Sequence, residues 1–183
     1  MDLRVKRTIR EIENSFIALV IDRGFQKVSV IQIAKQAEIN PKTFYDHFQD
    51  KYDLAKHVEN NFLNQYTEII KSHFANNGEQ SGTMNLVATV NFMLNNQSLR
   101  QSLVALQMIH TTNVDINVEM KTLITEQLSN HHVSNDPLVI EIIAGIVLIT
   151  IKYYVQNPAR FSVTHQLAVI NELNHILDSF SQK

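Results

Sequence analysis

An all-α fold of about nine helices is predicted by three observations. The chain has only four Gly and three Pro in 183 residues, too few for the tight turns that a sheet protein of this size needs. Apolar residues recur at three- and four-residue steps through segment after segment. Helix-start signals stand at the heads of several of these segments, most densely between Ser29 and Lys51. With 44% hydrophobic residues, the chain can bury one large helical core, or a small domain fused to a larger one.

The first helix is expected from about Lys6 to Arg23, with Ile9, Ile12, Phe16, Leu19 and Val20 on one stripe and Gly24 as a left-handed cap. Ser29 with Gln32 three residues on is a capping box, opening a helix from Val30 to about Ala37 that turns Ile33 and Ala34 inward. Asn40 before Pro41 is an N-cap followed by the favoured first helical residue, so a third helix runs from Pro41 to Phe48. Asp50 caps the fourth. Two short helices joined by about three residues make a helix-turn-helix.

The fourth helix runs from Lys51 to about Ala75, with Leu54, Val58, Phe62, Tyr66, Ile69 and Ile70 on one face, and Asn76-Asn77-Gly78 stops it. Further helices are expected from about Met84 to Asn95, Ser98 to Thr111 and Asp115 to about His131. Asp136 and Pro137 open the eighth, whose stretch Leu138 to Val155 is the most apolar in the chain. A membrane span is rejected there, because the run is short for a bilayer and Glu141 and Lys152 interrupt it. Ile140, Ile143, Ala144, Val147, Ile151 and Tyr154 leave the helix apolar most of the way round, so it must be covered on more than one side. The ninth helix, about Thr164 to Phe180, repeats Leu167, Ile170, Leu173, Leu177 and Phe180 as a packing seam.

Composition narrows the function. Absence of Cys excludes disulfides and thiol chemistry and suits a reducing cytoplasm. Met1 to Arg10 has basic residues but no apolar run after them, so no secretory signal is expected. The net charge is −2, yet residues 1–60 carry ten basic against nine acidic side chains and the remainder six against nine. Arg4, Lys6, Arg7 and Arg10 lie together, and Lys42 and Lys51 flank the third helix.

Thr43-Phe44-Tyr45, His47-Phe48 and Asp50-Lys51, placed after an Ile-Ala-x-x-Ala helix, resemble the DNA-binding domain of the TetR family of transcriptional regulators. Lys6-Arg7 and Asp53-Leu54 fit the branch common in Gram-positive bacteria. The resemblance covers roughly residues 5 to 58. It implies a helix-turn-helix DNA-binding domain at 1–50 and a helical effector-binding and dimerisation domain at 51–183. One position departs from the family pattern: Glu38 stands where relatives usually have Gly. A positive φ there costs on the order of 1 kcal/mol.

In a helix-turn-helix the second helix presents its N-terminal residues to base edges in the major groove. Lys42 can donate to guanine O6 and N7, and Thr43 can touch a base or a thymine methyl. The resemblance implies that Tyr45 and His47 contact phosphate or groove edge, that Lys51 grips a phosphate, and that Ser29 lies near phosphate. Phe44 and Phe48, four apart, belong to the core. Asp46 either accepts from a cytosine amino group or repels phosphate. Phe62, Tyr66, Phe92, Met93 and Met108 are expected to border a ligand cavity, although residues at such spacing also serve as plain core. His110 either bonds an effector or caps a buried carbonyl.

No metal, cofactor or catalytic role is expected. The eight His include no His-x-x-x-His pair, and no Gly-rich phosphate loop, Gly-x-Ser-x-Gly elbow or catalytic carboxylate pair stands out. The expectation is a cytoplasmic, nucleoid-associated bacterial homodimer joined through the eighth and ninth helices (about 137–156 and 164–180). It binds a near-palindromic operator with half-sites about 34–36 Å apart or a multiple of that. It acts as a repressor released by a small-molecule effector. The alternative is an activator or co-regulator whose C-terminal domain binds a protein, and an interaction protein that has lost DNA binding is a further class.

Overall fold

The computed structural model describes residues 3–76, 82–109 and 115–181, and all the regular structure in them is helical. Among the described residues nine α-helices follow in order: α1 Leu3–Arg23, α2 Val30–Gln36, α3 Pro41–Tyr45, α4 Lys51–Asn76, α5 Gly82–Asn95, α6 Gln97–Gln107, α7 Ile116–Asn130, α8 Pro137–Gln156 and α9 Val163–Ser181. Short 3-10 turns at Phe25–Lys27 and Pro158–Arg160 lead into α2 and α9. The chain divides into two compact units, residues 1–68 with 97–123, and residues 69–96 with 124–183. This division falls inside α4, after Glu68.

In the first unit, α1 packs against α2 and α6, and α2 against α3. Of the stripe expected on α1, Ile12, Phe16, Leu19 and Val20 are buried and form the core there, while Ile9 is half-buried. Phe16 meets Phe25 edge to face, with ring centroids 6.1 Å apart. Full burial of each such side chain contributes about 1.5–3 kcal/mol. On α4, all six residues of the expected face are buried, and so is Glu59.

In the second unit, α5 packs on α8 and α9. Gln166 of α9, buried, donates from Nε2 to Asn91 Oδ1 of α5 at 3.0 Å. Tyr154 Oη and His165 Nδ1 are 2.7 Å apart and tie α8 to α9. The α8 start follows the sequence signal, since Asp136 accepts from Leu138 N at 2.8 Å and Pro137 is the first helical residue. With 20 residues and a mean hydropathy of 2.1, α8 is long and apolar enough to cross a membrane, so shortness does not argue against a span. One stripe of it, Ile140, Ala144, Val147, Ile151, Tyr154 and Val155, is buried within the protein. A second stripe, Leu138, Ile142, Ile146, Ile149 and Tyr153, stays exposed. The helix is therefore apolar on two faces, as its sequence implied.

Two helices stop three or more residues short of expectation. α3 stops at Tyr45 and not Phe48, because the chain tightens into a turn in which His47 N donates to Phe44 O at 3.0 Å. α6 ends at Gln107, and Thr111 lies outside the described residues. Asn77 and Gly78, expected to stop α4, and the side chains of Leu177 and Phe180 also lie outside them.

Candidate nucleic-acid interface

Each helix of the helix-turn-helix begins on a local side-chain cap. Ser29 Oγ accepts from Gln32 N at 3.4 Å while Ser29 N donates to Gln32 Oε1 at 2.9 Å, completing the capping box. Asn40 Oδ1 accepts from Lys42 N at 2.8 Å. Asp50 Oδ1 accepts from Tyr52 N at 2.8 Å and Asp53 N at 2.9 Å. These bonds satisfy N–H groups that no helix turn reaches.

Between α2 and α3 the chain reverses through Glu38, whose φ is 54°. Ile39 N donates to Ala34 O at 3.0 Å and Glu38 N to Lys35 O at 3.3 Å. That pair is a Schellman closure, which needs a left-handed residue at its centre. Glu takes that conformation here without the freedom of Gly.

α3 is a two-sided element. Phe44, fully buried, lies against Phe48 at 5.7 Å between centroids, and Phe48 lies against His57 at 5.2 Å. His57 Nε2 is 2.7 Å from Glu13 Oε1, which also accepts from Asn61 Nδ2 at 2.8 Å. A continuous set of contacts thus ties α3 to α4 and α1. The opposite side of α3 faces outward. Lys42 and Asp46 are exposed, Tyr45 is 59% exposed, and Thr43 and His47 are half-buried. Ser29 is exposed at the head of α2, and Lys6, Arg7 and Arg10 are exposed on α1. Five of the six residues expected at DNA, Ser29, Lys42, Thr43, Tyr45 and His47, therefore present surface in the helix-turn-helix.

Lys51 is used differently. Its ammonium donates to the carbonyls of Phe25 at 3.0 Å, Gln26 at 3.3 Å and Val28 at 2.9 Å. It also sits 4.6 Å from the Phe25 ring centroid and 5.6 Å from that of Tyr52. A lysine has three N–H donors, and here all three are spent inside the protein. Lys51 thus fastens the α1–α2 connection to the head of α4.

The residues expected at a ligand cavity fall in both units. Phe62 and Tyr66 are buried and stack at 5.9 Å with planes 9° apart. Met93 is buried in the other unit. Phe92 and Met108 are exposed, at 47% and 38%. His110 lies outside the described residues. Burial pushes the Tyr66 phenol far above its usual range, and its hydroxyl has no hydrogen-bond partner among the described residues. Sequence reading missed Glu59, a carboxylate on the buried face of α4. Its spacing of four from Ala55 and seven from Tyr66 was the available signal.

Residues 17–58 match TetR_N, the family of bacterial regulatory proteins, tetR family. No curated protein sequence matches the chain. Among solved structures, it is similar to the fatty acid degradation regulator FadR from Bacillus halodurans, with a TM-score of 0.67 and 17% identity over 91% of this chain and 93% of that one. It is similar to a gamma-butyrolactone receptor (ArpA-like protein), with a TM-score of 0.63 and 17% identity over 97% and 100% of the two chains. NalD, the secondary repressor of the MexAB-OprM multidrug efflux pump in Pseudomonas aeruginosa, gives a TM-score of 0.64 and 18% identity over 88% and 90%. At these identities the likeness is one of fold.

Proposed function

We propose that this chain is a DNA-binding transcription regulator of the TetR type, a reading supported by the match at residues 17–58, and that it is a homodimeric repressor released from its operator by a small-molecule effector. The observation that carries the reading is the two-sided α3. Phe44 fastens one side into the core while Lys42, Thr43 and Tyr45 stand outward at the end of the element that would enter the major groove. Lys42 and Thr43 read base edges, Tyr45, His47 and Ser29 hold phosphate or groove edge, and Lys51 positions the reading helix from behind.

Dimerisation through α8 and α9 accounts for the apolar residues they leave exposed, among them Ile142, Ile149, Leu167 and Leu173. A two-fold dimer places two α3 helices on a near-palindromic site. α4 continues without a break from Lys51 to Asn76, so a change along it reaches the Lys51 fastening. An effector bound against α4 alters operator affinity to the extent that it binds the two conformations unequally. The shared fold with a gamma-butyrolactone receptor supports control by a small molecule, and that with NalD supports repression.

The test is selection of bound fragments from the source genome with the purified protein, followed by titration of the enriched site at two salt concentrations. The expected result is a short inverted repeat whose affinity falls steeply with salt. Lys42→Ala should cost about 1–3 kcal/mol, a loss of roughly tenfold to a hundredfold, and relax the preference at one base pair in each half-site. Unchanged affinity and preference in that variant would mean that α3 is not the reading helix.

A further inference from the structure

α4 carries one carboxylate on its buried face. Glu59 is 5% exposed, and its Oε1 is sealed from solvent with no hydrogen-bond partner among the described residues. Along the same face lie Ala55, Phe62 and Tyr66, all buried. Lys56, nearby on α4, is exposed and makes no ion pair with it among the described residues. The charge that reaches Glu59 from α7 is Glu119, of the same sign. Burial, and then Glu119, hold the Glu59 carboxyl above the usual carboxylate range, and Lys56 offsets this only in part.

A buried charge in a folded protein is normally paired, because leaving it unpaired forfeits its hydration for nothing. Glu59 is not alone in this. The Tyr66 hydroxyl on α4, Gln107 Nε2 on α6 and Asn117 Oδ1 on α7 are also buried without hydrogen-bond partners among the described residues. All four groups belong to the first unit. Native cores leave few polar atoms in that condition, and each such atom calls for an explanation.

We propose that Glu59 anchors the effector and that the effector class is a protonated amine carried on an apolar body. This rests on the reading of the chain as an effector-controlled regulator. The ammonium donates a charge-assisted hydrogen bond to Glu59 and adds to the opposite charge that Lys56 supplies only in part. The stacked rings of Phe62 and Tyr66, next along the same helix face, offer apolar contact to the body of the molecule. An anionic ligand would meet two carboxylates of its own sign. Among the described residues no group of three His, Asp or Glu side chains could hold a metal ion.

The experiment compares three probes of equal chain length on the full protein at pH 7: decylamine, 1-decanol and decanoate. Binding is read by calorimetry and thermal unfolding, and operator release is read separately. Decylamine should bind at least tenfold more tightly than decanol, and decanoate not measurably. Glu59→Gln should remove the tenfold preference while leaving decanol binding unchanged. Equal binding of amine and alcohol, preference for decanoate, or an unaltered preference in Glu59→Gln would overturn the proposal. The three-probe comparison on the unmodified protein decides the amine class even if the variant fails to fold. Glu59-dependent amine binding that leaves operator affinity unchanged would uphold the site and instead overturn effector control.

Discussion

A lysine side chain at the head of a helix has a choice between water, phosphate and its own protein, and at Lys51 the protein takes all three N–H donors. Hydrogen bonds to charged groups contribute about 1.5–3 kcal/mol each when well made, although part of this is offset by the loss of hydration. Lys51→Met keeps the aliphatic stem over Phe25 and removes the donors. We expect it to destabilise the protein by roughly 2 kcal/mol, seen as a lower urea midpoint. It should weaken operator binding without altering the slope of affinity against salt. A phosphate contact behaves in the opposite way, since each one lost lowers that slope by about one. A slope that drops in Lys51→Met would return the residue to the DNA face. The position of Lys51 was readable from sequence, but its partners lie 23 to 26 residues away, and no local pattern announces a lysine bonded to distant carbonyls. Glu59 is the same lesson for burial: the helical period places it inward, and only the fold reveals that no ion pair follows among the described residues.

At the scale of elements, the local signals carried far. The caps at Ser29, Asn40, Asp50 and Asp136 each act within three residues of themselves, so a reading of neighbours suffices to find them. The end of α3 was misplaced because Asp46 and His47 are compatible with both a helix and the tight turn they form. Glu38 was marked by its departure from Gly, and the 54° φ shows why Gly is favoured there. A left-handed residue with a side chain costs about 1–2 kcal/mol, offset in part by the larger entropy that Gly loses on folding. Glu38→Gly should therefore raise stability by roughly 0.5–1 kcal/mol and shift the urea midpoint upward. Because the Schellman bonds from Glu38 and Ile39 are backbone bonds, the tilt of α3 and the preferred operator sequence should stay the same. A destabilised Glu38→Gly would mean that the Glu side chain makes a contribution larger than the backbone strain.

At the scale of the molecule, the sequence of α8 already carried its two-faced character, because both stripes follow the helical period. What it left open was which stripe the chain covers itself. The fold answers that Ile140, Ala144, Val147 and Ile151 are inside, and that Ile142, Ile146 and Ile149 are not. The ligand-cavity residues were less accessible to sequence reasoning, since aromatic and Met side chains at helical spacing look alike whether they line a cavity or fill a core. The exposed stripe gives the sharpest test of assembly. Ile149 is 68% exposed, so a polar replacement there costs a lone chain within about 0.5 kcal/mol. In a dimer built on this face the same replacement buries two carboxylates, one from each copy, against apolar surface. Ile149→Glu should thus melt near the wild-type temperature when dilute, yet sediment as a 21.0 kDa monomer where the wild type sediments at twice that mass. Operator affinity should fall sharply, because two half-sites are then bound by separate molecules and the second binding event is no longer intramolecular. A dimeric Ile149→Glu would remove α8 from the interface and leave its exposed face to another partner.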